Sequence, residues 1–120
     1  MATANVNGAW GERKAAAFLR KKGLRVVERN FSCRFGEIDI IAENKDFLIF
    51  CEVKLRKSDA FGAPREFVTA QKQQRLRKTA ALYLSQYPTE KQPRFDVVEV
   101  YAEQGIFTAK PVINHLEDVF

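Results

Sequence analysis

The 120-residue chain predicts an α/β domain on a mixed sheet, in the order helix, three strands, helix, then one or two strands. Three observations carry this expectation. Two apolar runs, Ile38–Ala42 and Phe47–Val53, flank the polar break Glu43-Asn44-Lys45-Asp46, which reads as a β-hairpin. Helical spacing flanks the strand-rich middle of the chain on both sides. A further strand, Phe95-Asp96-Val97-Val98-Glu99-Val100-Tyr101, follows the second helix and joins the sheet by a crossover.

Taken in order, residues 1–7 read as a loose arm. From Trp10 to Lys22 the spacing is helical, with Trp10, Lys14 and Ala17 near one stripe and Phe18 and Leu19 beside it. Glu12 falls in the first turn and Lys21 and Lys22 in the last, both favourable to the helix dipole, and Gly23 is a natural terminator. Leu24–Phe31 is the first strand, and Ser32-Cys33-Arg34-Phe35-Gly36 turns the chain into the hairpin. A glycine at 36 fits a bulge or a positive φ. The second hairpin strand is apolar on both faces, which argues for a central place in the sheet. Lys57–Phe67, with Ser58, Gly62 and Pro64, is a connection long enough to be mobile or functional. Thr69 is the expected N-cap of a helix to about Tyr87, with Leu76, Ala80, Tyr83, Leu84 and Tyr87 inward and Pro88 as its stop. After the strand at 94–102, Glu103-Gln104-Gly105 turns into a short strand, Ile106–Lys110, and residues 111–120 form a C-terminal tail or edge segment.

The length fits a single domain, 1–120, with one core. No run of about 18 apolar residues is present, which argues against a membrane span. No secretory signal is visible, and two cysteines, Cys33 and Cys51, fit a reduced cytoplasmic protein. Cys33, Cys51 and the lone His115 are too few for a zinc site. The net charge of +5 is uneven: residues 1–29 hold seven bases against two acids, and residues 65–78 five against one. Such clusters suit a polyanion, and they equally suit ordinary solvated helix faces.

Asp39, Glu52 and Lys54 sit inside apolar strands, where a charge is costly unless paired or bound to a metal. Glu52 and Lys54 share a face because side chains alternate with period two. If Asn44 pairs with Phe47, Asp39 falls opposite Glu52 on that same face, and a slip of one residue would send it to the other. Two carboxylates and an ammonium then converge. A divalent cation relieves the repulsion of the acids, and oxygen ligands suit Mg2+ or Mn2+. The alternative is a structural Glu–Lys pair on an exposed sheet face.

Asp39 followed by Glu52-Val53-Lys54 on adjacent strands resembles the PD-(D/E)XK nuclease superfamily, although Ile38 stands where the name pattern has proline. With Gly11-Glu12, Arg29-Asn30-Phe31, Gly36-Glu37-Ile38-Asp39, Phe61-Gly62 and Arg94-Phe95-Asp96-Val97-Val98, the chain resembles the bacterial YraN family, which is largely uncharacterised and similar to archaeal Holliday junction resolvases. The resemblance spans about Gly8 to Val100 and implies a restriction-endonuclease-like αβββαβ core. It implies that Asp39, Glu52 and the Val53 carbonyl hold Mg2+ or Mn2+, that Lys54 is the catalytic lysine, and that Glu12 is the first-helix acid reaching the metal through water. Gln71 or Lys72 occupies the place of a second-helix residue near the site. A resolvase-like role implies two active sites and hence a homodimer.

The expected activity is therefore metal-dependent phosphodiester hydrolysis on structured or branched nucleic acid, with DNA preferred over RNA. Arg34, Arg56, Arg65, Lys72 and Arg75 are the candidate phosphate contacts, each of which is also readable as plain surface. Glu37 shares the parity of Asp39 but reads as a solvated strand start, and Asp96 reads as a structural salt bridge. The competing expectation is a binding module that keeps the fold and does not cut.

Overall fold

The central apolar run becomes β3, Phe47–Arg56, and its two faces organise the molecule. The computed structural model describes residues 2–57 and 69–120, with side chains from residue 7 onward. Leu48 and Phe50 pack into one hydrophobic cluster, while Ile49 and Cys51 pack into the other. Alternation along the strand thus feeds two cores, one under each helix.

Helix α1, Ala2–Lys21, covers the first face. Trp10, Ala15, Ala16 and Leu19 are buried against Ile40, Ala42, Ile49, Val98 and Val100. Ala17, expected on that stripe, is exposed, because alanines mark the phase of a helix poorly. The loose arm expected at 1–7 is also replaced: the helix starts at Ala2, in a stretch without proline whose alanines favour helix. At its end Leu24 N–H donates to the Leu19 carbonyl and Gly23 N–H to the Arg20 carbonyl. With Gly23 at φ +94°, this is a Schellman C-cap.

Helix α2, Ala70–Gln86, covers the second face with Leu76, Thr79, Ala80 and Tyr83, against Ile41, Leu48, Phe50 and Phe95. Tyr87, expected among them, is exposed because the helix has ended by then. Thr69 is the N-cap, its hydroxyl accepting from Lys72 N–H at 3.1 Å.

The sheet has five strands in chain order: β1 Arg25–Cys33, β2 Gly36–Glu43, β3, β4 Gln92–Tyr101 and β5 Val112–Leu116. The first three form an antiparallel meander; β4 lies parallel to β3, and β5 antiparallel to β4. The parallel pair follows from the helical crossover through α2. This is the predicted α/β class with a mixed sheet, and it is compatible with a restriction-endonuclease-like core.

One expectation near the C-terminus changes and another narrows. Residues 106–110 are not a strand; Gly105–Phe107 is a single 3-10 turn. Residues 112–116, expected as tail or edge segment, take the second form as the edge strand β5. A five-residue edge strand is specified by pairing with a distant partner rather than by local pattern. Most of the Lys57–Phe67 connection, with Phe61-Gly62 and Arg65, lies outside the described residues. Among the described residues no helix is long and apolar enough to cross a membrane.

Candidate functional site

The site begins with a turn. Asn44 Oδ1 accepts from the backbone N–H groups of Asp46 and Phe47 at 2.9 and 2.8 Å, and Asn44 N–H donates to the Phe47 carbonyl. This Asx-type closure sets the β2–β3 register, with Ala42 opposite Ile49 and Ile40 opposite Cys51. The regular ladder stops there. One step on, the Asp39 carboxylate takes the Val53 N–H at 2.8 Å, so the side chain caps the point where the strands part.

Asp39, Glu52 and Lys54 line one cleft of about 400 Å³, with Lys72, Arg75 and Leu76 of α2 as the opposite wall. Asp39 does not turn away from Glu52; the three predicted residues meet. Glu52 is only 8 % exposed and is ion-paired twice, with Lys54 at 3.2 Å and with Lys72. The cap at Thr69 orders the first turn of α2, which carries Lys72 to this carboxylate. Lys72 rather than Gln71 is thus the second-helix residue in the cleft.

The electrostatics are unequal. Burial pushes the Asp39 carboxyl up to about 7; the Val53 N–H bond opposes this, and the charges of Glu52, Glu12 and Glu37 add to it. Lys72 is held above its ordinary value: burial works against its charge, but the hydrogen bond and charge of Glu52 outweigh it. The cleft therefore holds Asp39, a partly buried acid without a direct ion pair among the described residues, beside Glu52, which is paired with two lysines.

Among the described residues no three His, Cys, Asp or Glu side chains form a metal cluster by themselves. The available donor set is smaller: the Asp39 and Glu52 carboxylates and backbone oxygen at Val53. That suits a hard cation that keeps several waters, as Mg2+ does, better than a closed cage. A cation there would also offset the burial and the neighbouring acids that raise the Asp39 pKa.

The remaining candidates divide. Glu12 lies outside the cleft, in an adjoining pocket of about 430 Å³ with Asn30 and Glu37, and faces Arg29 at 3.7 Å. Glu37, expected as a solvated strand start, is exposed yet lines both hollows. Arg75 lines the cleft and is exposed. Arg56 is tied to the buried Glu99 carboxylate through Nε and Nη2, both at 3.3 Å, which commits much of its charge to structure. Arg34 is at the β1–β2 turn, stacked over Phe35 rather than in the cleft. Asp96 is structural, accepting from Arg94, the Asp118 N–H and His115.

Sequence reading missed Arg29 as the partner of Glu12 and Glu99 as the partner of Arg56. A buried carboxylate in an apolar strand, Val98-Glu99-Val100, was the available signal for the second; nothing local signalled the first. Gly36 forms part of the cleft rim at φ +154°, a backbone conformation that favours glycine.

Comparison with known proteins agrees on one grouping. Residues 11–100 match the profile of the family described as "Uncharacterised protein family UPF0102". A UPF0102 protein of Syntrophomonas wolfei is 46% identical over 114 residues, covering 94% of this chain and 96% of that protein. UPF0102 proteins of Caldanaerobacter subterraneus and Thermodesulfovibrio yellowstonii are 44% and 41% identical, covering 94% of this chain and 93% and 94% of theirs. The match includes every residue of the cleft, and the chain belongs to the uncharacterised protein family UPF0102.

Proposed function

We propose that this protein is a divalent-metal-dependent nuclease of the PD-(D/E)XK kind, cleaving phosphodiester bonds in structured or branched nucleic acid. The observation that carries the reading is the meeting of Asp39, Glu52 and Lys54 in one cleft, where burial and neighbouring acids raise the Asp39 pKa. Asp39, Glu52 and the Val53 carbonyl would hold Mg2+ or Mn2+, which supplies a bound water of lowered pKa and neutralises phosphate charge. Lys54, a quarter exposed, would orient the attacking water or stabilise the negative charge that develops on phosphorus oxygens. Lys72 and Arg75 on the opposite wall supply cations for the flanking phosphates without reading sequence. Glu12 would act from the adjoining pocket, through water. DNA is the preferred substrate, and a resolvase-like action would require two copies of the chain.

The test is a substrate panel (four-way junction, flap, single strand, structured RNA) with Mn2+, run on the wild type and on Asp39→Ala and Lys54→Ala. Cleavage by the wild type should fall at least a hundredfold in each variant. Cleavage that survives either change refutes the reading.

A second reading rests on a specific observation: the two lysines paired with Glu52 already neutralise that carboxylate. A cleft so balanced also fits a non-cleaving nucleic-acid-binding module. Binding that is equally tight in EDTA, with no saturable Mn2+ binding, would favour this module over the enzyme.

A further inference from the structure

Beside the cleft lies a second feature that phosphate chemistry alone does not use. The turn between β1 and β2 presents Phe35, partly exposed, at its tip. Arg34 stacks on the Phe35 ring at 4.8 Å from guanidinium to centroid, and the Lys78 ammonium lies 5.9 Å from the same ring. Phe35, Lys78, Ala81 and Leu82 enclose a shallow, mainly apolar dish of about 500 Å³. Arg34, Lys78 and Ala81 are exposed around it.

The dish and the cleft are neighbours, with adjoining residues in each. Gly36, next to Phe35, belongs to the cleft rim, and Arg75, one turn before Lys78, belongs to the cleft wall. Lys72, Arg75 and Lys78 recur at i, i+3 and i+6 on α2, so a row of cations runs from Glu52 to the aromatic ring. At 1.5 Å per residue the row is roughly 9 Å long. That is about three steps of a stacked strand at 3.4 Å each.

An apolar dish lined by an aromatic ring, with cations against that ring, has the chemistry of a base-stacking platform. Nucleobases stack on aromatic faces whatever their identity, and cations beside the ring hold the adjoining phosphates. A base in a duplex is already stacked and paired, so its face is not free for the ring. We propose that Phe35, framed by Arg34 and Lys78, stacks one unpaired nucleobase a few nucleotides from the phosphate bound in the cleft, so that the preferred substrate has a single-stranded segment beside the cleavage point. This rests on the nuclease reading for the cleft, but the platform itself is testable without cleavage.

The experiment uses the full chain in EDTA, with a single-stranded oligothymidylate and a blunt duplex of equal length. Phe35→Trp places an indole in the dish, while the native Trp10 is buried on the opposite face of the sheet. Single strand should quench the fluorescence of Phe35→Trp and leave that of the wild type unchanged. Phe35→Ala should weaken single-strand binding roughly 5- to 150-fold, the range for one lost base stack, and Phe35→Tyr should restore it. The ratio of single-strand to duplex affinity should fall in Phe35→Ala. Thermal unfolding of each variant checks that the turn is intact.

The platform is overturned if Phe35→Ala binds single strand as tightly as wild type, or if it loses single strand and duplex equally. Absence of binding to any oligonucleotide overturns it too, and would assign the dish to a protein partner. If Phe35→Trp is quenched while the wild type cuts nothing with Mn2+, the platform stands and the nuclease reading falls. If the wild type cuts but Phe35 has no effect, the reverse holds.

Discussion

Asp39 is placed where its charge harms the fold. Its carboxyl is held near 7 against an ordinary value of 3.8, mainly by burial and then by Glu52, Glu12 and Glu37. Between those two pH values the folded chain binds a proton that the unfolded chain has released, so stability falls as pH rises through the window. Above it the full penalty applies, on the order of 4 kcal/mol at most for a three-unit shift. Asp39→Asn removes the charge and keeps an oxygen for the Val53 N–H. The expected outcome, from urea unfolding without divalent ions, is a variant stabilised by a few kcal/mol at pH 8 and barely changed at pH 4. An equal effect at both values would mean that Asp39 is not strained by ionisation. The same variant should be inactive, so the residue that weakens the apo fold would be the one the chemistry needs. A structural ion pair would show the opposite sign, losing stability on neutralisation.

Individual elements explain which parts of this arrangement were legible. The β2–β3 hairpin was, because Asn44 closes its own turn and the period of two then assigns faces, which places Asp39 and Glu52 together. Helix α2 was legible for the same local reason, a Thr69 hydroxyl over the first turn. Thr69→Ala should cost about 1 kcal/mol, the usual worth of such a cap, read by chemical denaturation. It frees the Lys72 N–H, and so should also loosen the Lys72–Glu52 pair. A cost below a few tenths of a kcal/mol would show that tertiary packing alone holds that turn. Helix α1 was misread at its start because residues 2–7 mix two alanines with the weaker helix formers Thr3, Asn5, Val6 and Asn7, so nothing local marked them as helix. Strand β5 was legible only as a tail or edge segment, because Val112–Leu116 is specified by its ladder to Val97–Tyr101, some fifteen residues upstream. The partners Glu12–Arg29 and Arg56–Glu99 were hidden for a similar reason, since each joins elements that only the assembled sheet brings together.

At the scale of the whole molecule, the sheet divides the basic surface that composition shows only as a net +5. Helices α1 and α2 pack on opposite faces, so the bases carried by α1 and those carried by α2 lie on opposite sides of the sheet. The cleft opens on the α2 side, where Lys72, Arg75 and Lys78 stand in a row. On the α1 side, away from the cleft, two of the cations have other engagements: Lys14 lies over Trp10, and Lys22 bonds His115 and Glu117. A polyanion threading the cleft should therefore feel one helix and not the other. Reversing Arg75 and Lys78 to Glu should weaken single-strand binding and reduce the slope of log K against log salt by about 1.4, two phosphate contacts at about 0.7 each. Reversing the exposed Arg13 and Arg20 on α1 changes the net charge equally and should leave that slope where it was. The measurement is fluorescence anisotropy with labelled oligonucleotide across a salt series. Equal losses from the two pairs would mean that net charge, rather than the row on α2, draws the nucleic acid, and would detach the basic surface from the cleft it borders.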